Sequence, residues 1–215
     1  MQAPTVVVSA TRFNASIDTA PVNITTIDAK EISRSNLTTL SDVLETVPGV
    51  TVSNLFGISG SRAKVDMGGF GGNNGQNTLI LLNGRRLNDV DLQGANLATI
   101  PLESIARIEI VHGTSSVLYG DNAVSGVINI VTKNGFDGKQ GKLKLQVGSY
   151  QTQRLSGDLR SQQDDTALSL AFDGLKSDGY RHNSAFNNFS LISEISKERG
   201  ERNYGARINV SRDDV

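Results

Sequence analysis

Residues Ile105 to Lys133 read IARIEIVHGTSSVLYGDNAVSGVINIVTK, and the organisation of the whole chain follows from them. Ile105, Ile108, Ile110 and Val111 are apolar and β-branched, which predicts a strand. Gly113 to Gly126 is crowded with turn residues, and Val127 to Val131 predicts a second short strand. Two such strands joined by a long polar connection belong to a sheet that needs covering from elsewhere in the chain.

The residues before it supply the cover. Val22 to Ile27 alternates loosely and predicts a strand. Asp28-Ala-Lys-Glu31 has the spacing of a capping box, so a short helix is expected to follow. Leu37, Leu40, Val43, Leu44 and Val47 recur at helical spacing, which predicts a helix over 37–47 ended by Pro48-Gly49. Short strands are predicted at Val50–Val52, Ala63–Met67 and Thr78–Leu82. Asn83-Gly84 is a strong turn signal, after which Arg85–Leu87 continues extended. Pro101 opens a short helix with Glu103 in its first turn. At the N-terminus, Ala3 to Ala10 (APTVVVSA) favours an extended strand, and no partner strand is expected next to it in sequence. Strands mixed with short helices predict an α+β domain ending near Lys133.

After Gly135 the texture changes. Leu143, Leu145 and Val147 oppose Lys142, Lys144 and Gln146. Leu155 and Leu159 oppose Arg154, Ser156, Asp158 and Arg160. The same period of two runs through 166–174, 188–195 and 204–211, giving five consecutive strands with short polar connections and one longer loop, Ser177 to Asn187. This matches an antiparallel outer-membrane barrel, and a soluble sandwich alternates as well. Five strands cannot close a membrane barrel, which needs at least about eight. An open edge in lipid leaves backbone groups without partners. On the barrel reading, further strands are expected beyond Val215.

Several functions are excluded or unsupported. The net charge of -1 gives no electrostatic case for nucleic acid. No cysteine is present, so no disulfide or cysteine metal site exists. No apolar run approaches the roughly 20 residues of a spanning helix. Met1 runs straight into Gln-Ala-Pro with no visible leader, so an exported chain is read here in its mature form. The glycine-rich stretch from Met67 to Gly84 (MGGFGGNNGQNTLILLNG) lacks the lysine of a phosphate loop. Counting from Gly69 and Gly71, the third glycine of a dinucleotide fingerprint is replaced by Asn74. His112 and His182 are far apart and have no ligands at metal spacing. No nucleophile elbow occurs. The sequence therefore predicts no catalytic residue, no metal and no cofactor.

Taken together, the pieces resemble the TonB-dependent outer-membrane receptors. Thr5 to Ala10 looks like a TonB box, and TLSDVLETVPGV (Thr39 to Val50) looks like the plug helix and its stop. LILLNGRRL (Leu79 to Leu87) is similar to the plug strand and turn, and Ile105 to Lys133 resembles the plug's closing segment. The resemblance implies a TonB-box segment at 1–12, an α+β plug domain at 13–135 and the first strands of a 22-stranded β-barrel at 136–215. It implies active uptake of a scarce nutrient (an iron chelate, cobalamin or similar) across the bacterial outer membrane, with the plug facing the periplasm and gating the barrel. TonB would bind Thr5, Val6, Val7, Val8 and Ser9 by strand addition. Outer-membrane lipid and a small-molecule ligand such as a metal chelate are the other expected partners. Ligand contact is expected on the outward plug loops Ser53–Ser61 and Asn88–Asn96, with Leu55, Phe56 and Asp91 as candidates. The alternative is a soluble periplasmic binding or signalling module whose last eighty or so residues close into a sandwich.

The chain departs from the family at three places. Met67-Gly68-Gly69 stands where the family usually has Ile-Arg-Gly, Asn83-Gly84 where it has Asp-Gly, and His112-Gly113-Thr114 where it has Arg-Gly-Pro. The resemblance implies plug arginines paired with barrel carboxylates, and both arginines are replaced here. Losing one partner of a buried pair costs about 3–5 kcal/mol. The barrel is therefore expected to lack those carboxylates or to pair them differently.

Overall fold

The N-terminal half is built on capped turns. In this computed structural model the described residues are 6–7, 15–16, 23–35, 37–54, 63–69, 77–88, 94–113, 119–120, 122–180, 184–200 and 202–214. Helix α1 (Ala29–Arg34) begins at Asp28, whose Oδ1 accepts from the Glu31 backbone N–H at 2.8 Å. Helix α2 (Leu40–Glu45) carries a reciprocal box: the Asp42 N–H donates to Thr39 Oγ1 at 3.1 Å, and the Thr39 N–H donates to Asp42 Oδ2 at 2.8 Å. This box makes the helix shorter than the 37–47 expected from periodicity, because Thr39 ends the extended chain and Leu37 lies ahead of the cap. Gly49, at φ +80°, carries the exit. A helix this short is not stable alone; Leu40, Val43 and Leu44 anchor it by burial.

The central sheet has the order β3 (Ile24–Asp28), β8 (Ile105–His112), β9 (Gly126–Thr132), β6 (Thr78–Leu82), β7 (Arg85–Arg86). Only β6 and β9 run parallel. Asn83 and Gly84, at φ 50° and 77°, make the tight turn that the Asn-Gly pair predicted. Ile108, Ile110, Ile128 and Ile130 face the helices, while Leu79, Leu81, Val111 and Val127 pack on the other side. A smaller antiparallel pair, β4 (Val50–Ser53) and β5 (Lys64–Met67), joins the first core.

One expectation is corrected at the N-terminus. Strand β1 (Val6–Val7) has a partner nearby, β2 (Ala15–Ser16), with Val6 opposite Ser16 and Val7 opposite Ala15. Two-residue strands carry no hydrophobic period, so their pairing left no mark in the sequence.

The C-terminal part is one antiparallel sheet, the wall: β10 (Gln140–Val147), β11 (Gln153–Gln163), β12 (Thr166–Ser177), β13 (Phe186–Arg199) and β14 (Arg202–Asp214). Its connections are residues 148–152, 164–165, 178–185 and 200–201, so the tight ones all lie at one end. Leu143, Leu145 and Val147 are 71–79% exposed, while Ser156, Asp158, Ser169, Asp173 and Ser190 are buried. The exposed leucines and valines point away from the central sheet, while the inner face carries the polar groups interspersed with Ala167, Ala171, Leu175, Phe186 and Ile192. No second sheet covers the apolar face among the described residues, so the closed sandwich is not what these strands form. On that outer face Phe172 lies opposite Gly157 and Phe189 opposite Gly174, aromatic rings covering bare backbone.

Two short 3-10 turns, Leu97–Thr99 and Leu102–Ser104, bring the two parts together by resting against β11–β14. Behind them Gly135 passes against β12 so closely that an added Cβ would sit 2.5 Å from the Leu168 backbone nitrogen. Gly135→Ala should cost about 1–3 kcal/mol through forced backbone movement. Limited proteolysis of the full-length protein should then cut the 133–139 link faster; an unchanged cleavage rate would refute the close approach.

Candidate functional site

The seam between the central domain and the wall is where charges concentrate. Arg154 on β11 is 6% exposed, and its guanidinium bonds Asp173 on β12 at 2.6 and 2.7 Å. The same guanidinium donates to the Thr38 carbonyl oxygen just ahead of α2, so the wall holds the helix entrance directly. Glu103, in the second 3-10 turn, accepts from Lys142 Nζ on β10 at 2.9 Å. Lys133, at the end of β9, donates to the Glu103 carbonyl oxygen at 2.7 Å and lies 3.7 Å from Asp158 Oδ1. That last spacing is a charge contact rather than a hydrogen bond. Arg160 completes the group with Asp158 at 3.2 Å and the Asp137 carbonyl at 3.3 Å. Farther along, Arg207 pairs with Glu194 and reaches Thr132 at 3.3 Å, and Asn96 donates to Asp213 at 3.4 Å.

Burial pushes the Lys133 ammonium below its ordinary value; Asp158 opposes the shift and Arg160 adds to it. The seam thus combines buried polar contacts with a few buried apolar wall residues, Ala171, Leu175 and Ile192, beside the two 3-10 turns. Such contacts fix a position and can be exchanged for water when the parts separate. Among the described residues no group of three His, Asp or Glu side chains is placed to hold a metal ion.

The candidate site residues from the sequence fall unevenly. Val6 and Val7 form β1, while Thr5, Val8 and Ser9 lie outside the described residues. Leu55, Phe56 and Asp91 also lie outside them, as does His182. His112 ends β8, with Nε2 3.1 Å from Thr25 Oγ1. Sequence reasoning recorded Arg154, Asp158, Arg160 and Asp173 only as the polar side of alternating strands. The strand register would have revealed them, because it puts Ser156 opposite Asp173 and so brings Arg154 diagonally beside that carboxylate.

Two measurements test the seam. Arg154→Met strands the Asp173 carboxylate and should cost about 3–5 kcal/mol, and adding Asp173→Leu should restore much of it. Thermal unfolding of the full-length protein reads both, and equal losses in the single and double variants would refute the pairing. For Lys133 the folded state holds its proton less tightly than the unfolded chain. The unfolded state therefore binds more protons in the window below 10.5, and stability rises as pH climbs through it. The melting temperature of the native chain should gain on that of Lys133→Gln over the same range; a constant gap would contradict the burial.

The comparisons agree with this architecture. A family model described as the TonB-dependent receptor plug domain matches residues 16–127. The vitamin B12 transporter BtuB of Vibrio vulnificus strain YJ016 is 35% identical over 185 residues, which is 83% of this chain and 29% of that protein. The chain therefore spans less than a third of that relative's length. Among solved structures, the pyoverdine outer-membrane receptor FpvA of Pseudomonas aeruginosa superposes with a TM-score of 0.77 at 18% identity, covering 98% of this chain and 30% of that one. The alcaligin outer-membrane receptor FauA of Bordetella pertussis gives 0.77 at 16% identity, covering 97% and 35%. Those two likenesses concern the fold, an α+β plug followed by antiparallel barrel strands. With more than half of its length matched by the plug model and its strands inverted in polarity, the chain belongs to the TonB-dependent receptors.

Proposed function

We propose that this chain is the plug and initial wall of a transporter that takes a scarce nutrient across the outer membrane, driven from the periplasm by TonB. The observation that carries the reading is the inverted wall: leucines and valines outward, charges inward against a plug with its own core. An outward apolar band suits lipid, and a polar inner face suits a water-filled lumen. A plug held by breakable polar contacts suits gating. The division is 1–12 as TonB-box segment, 13–135 as plug and 136–215 as the first barrel strands.

Cargo is a small molecule of the class carried by the relatives, a cobalamin or an iron chelate. The 35% identity to a vitamin B12 transporter makes vitamin B12 the first compound to try. Thr5 to Ser9 is the TonB-binding strand, and Leu55, Phe56 and Asp91 are ligand contacts on the outward loops. TonB would add a strand to this segment, and the β1–β2 pair means that one edge of Val6–Val7 is already taken. No step needs catalysis: the work is binding, displacement of the plug and release. The soluble-module alternative required a closed sandwich after residue 136, and the single open sheet gives it no support.

Deleting Thr5 to Ala10 from the full-length receptor should abolish energised uptake while leaving ligand binding at the cell surface unchanged. Uptake of radiolabelled vitamin B12 and of a panel of ferric chelates reads the first, and binding to de-energised cells reads the second. Undiminished uptake by the deletion would overturn the reading.

A further inference from the structure

A cavity of about 410 Å³ lies between α1, the second 3-10 turn and the inner face of β10 and β11. That volume falls within the range of small-molecule sites, roughly 300–1,000 Å³. Its walls carry six cations, Lys30, Lys133, Lys142, Lys144, Arg154 and Arg160, against the carboxylates of Glu103, Asp137 and Asp158. The seam accounts for four of the cations. Lys142 is bound to Glu103, Arg154 to Asp173, and Lys133 and Arg160 share Asp158. The ammonium groups of Lys30 on α1 and Lys144 on β10 make no hydrogen bond or ion pair with the described residues, and they line the space from the plug side and the wall side.

We propose that this cavity is an oxyanion subsite, which takes a phosphate or carboxylate group of the cargo between plug helix and wall. Positive charge exceeds negative charge around a half-enclosed space, and the two unpaired ammonium groups are the donors such a group would meet. The depressed proton affinity of Lys133 has the same origin, a desolvated cation crowded by Arg160 and Lys142. An anion in the cavity would relieve that crowding. Position adds the functional link. α1 follows directly on β3, so the N-terminal segment leads through β2 and β3 to the helix that forms a wall of the cavity. Displacement of that segment would move Lys30 relative to Lys144 and change the spacing of the two donors.

The subsite rests on the uptake reading for its cargo, but its chemistry is testable without transport. Calorimetric titration of detergent-purified full-length receptor with pyrophosphate should show binding that weakens as salt is raised. Lys30→Gln with Lys144→Gln should weaken it about tenfold, as two nearby charge attractions are lost. The melting temperature should stay unchanged, since neither side chain supports a bond of the fold. Absence of pyrophosphate binding by the native protein overturns the proposal, and so does equal binding by the double variant. Displacement of pyrophosphate by phosphatidylglycerol micelles would assign the oxyanion to a lipid headgroup and overturn the cargo role. If pyrophosphate binds as expected while the Thr5–Ala10 deletion still takes up cargo, the subsite is supported and the uptake reading alone fails.

Discussion

A strand has only two faces, and in β10–β14 those faces are sorted for two different surroundings. Leu143, Leu145, Val147, Leu155 and Leu159 stand on one side; Lys142, Lys144, Arg154, Asp158 and Arg160 stand on the other. Burying apolar surface is the main driving force for folding in water, so a sheet that leaves its leucines outermost has forgone that gain. The arrangement is stable only where the outside is itself apolar. Everything else in the molecule accommodates this constraint. Polar groups turned inward need partners, and the plug supplies some of them through Thr38, Glu103 and Lys133.

The plug can serve in this way because it does not depend on the wall for its core. Leu44, Ile108, Ile110, Ile128 and Ile130 are fully buried and belong to a hydrophobic cluster whose members all come from the plug. Its stability and its attachment are therefore separable properties: one rests on apolar packing, the other on a handful of polar contacts around two 3-10 turns. Charge pairs at such a seam are directional and discrete. Once broken, both partners regain hydration, which offsets much of the lost attraction. An apolar interface of the same size would resist separation in water far more strongly. Position and mobility can therefore be had together.

Much of this was legible in the residues, and the parts that were not share a physical cause. Asp28 with Glu31, Thr39 with Asp42, and Asn83 with Gly84 act over one to three residues, so their chemistry is visible in a short window. The alternation of β10 to β14 is equally local. The β1–β2 pair spans two residues a side and has no period to detect. The seam depends on strand register and on docking: Lys133 and Asp158 are near only because β9 ends where β11 passes. The helix expected over 37–47 formed only over Leu40–Glu45, since apolar spacing marks a buried face and does not mark where the chain turns into a helix. Leu55, Phe56 and Asp91 fall outside the described residues, and their expected role as ligand contacts rests on the family resemblance.

The departures from the family pattern acquire a rationale once neighbours are known. Asn83 donates from Nδ2 to Thr132 Oγ1 at 2.9 Å and accepts from the Thr132 N–H at 2.9 Å. A carboxylate at that turn could accept from the Thr132 N–H but could not make the donation to Oγ1 that the Asn83 amide makes. Met67 is 1% exposed and packs against the backbone of Gly126, where an added Cβ would meet its Cε at 2.7 Å. His112 meets the Thr25 hydroxyl. Met67 and His112 meet uncharged partners in Gly126 and Thr25, while Thr132 Oγ1, the partner of Asn83, also accepts from Arg207. The charge contacts between plug and wall run instead through Lys133 to Asp158 and through Glu103 to Lys142, with the plug contributing the cation in one pair and the anion in the other. Two pairs of opposite sense fix orientation better than two alike, because sliding the plug along the wall would bring Lys133 towards Lys142 and Glu103 towards Asp158, and both encounters are repulsive.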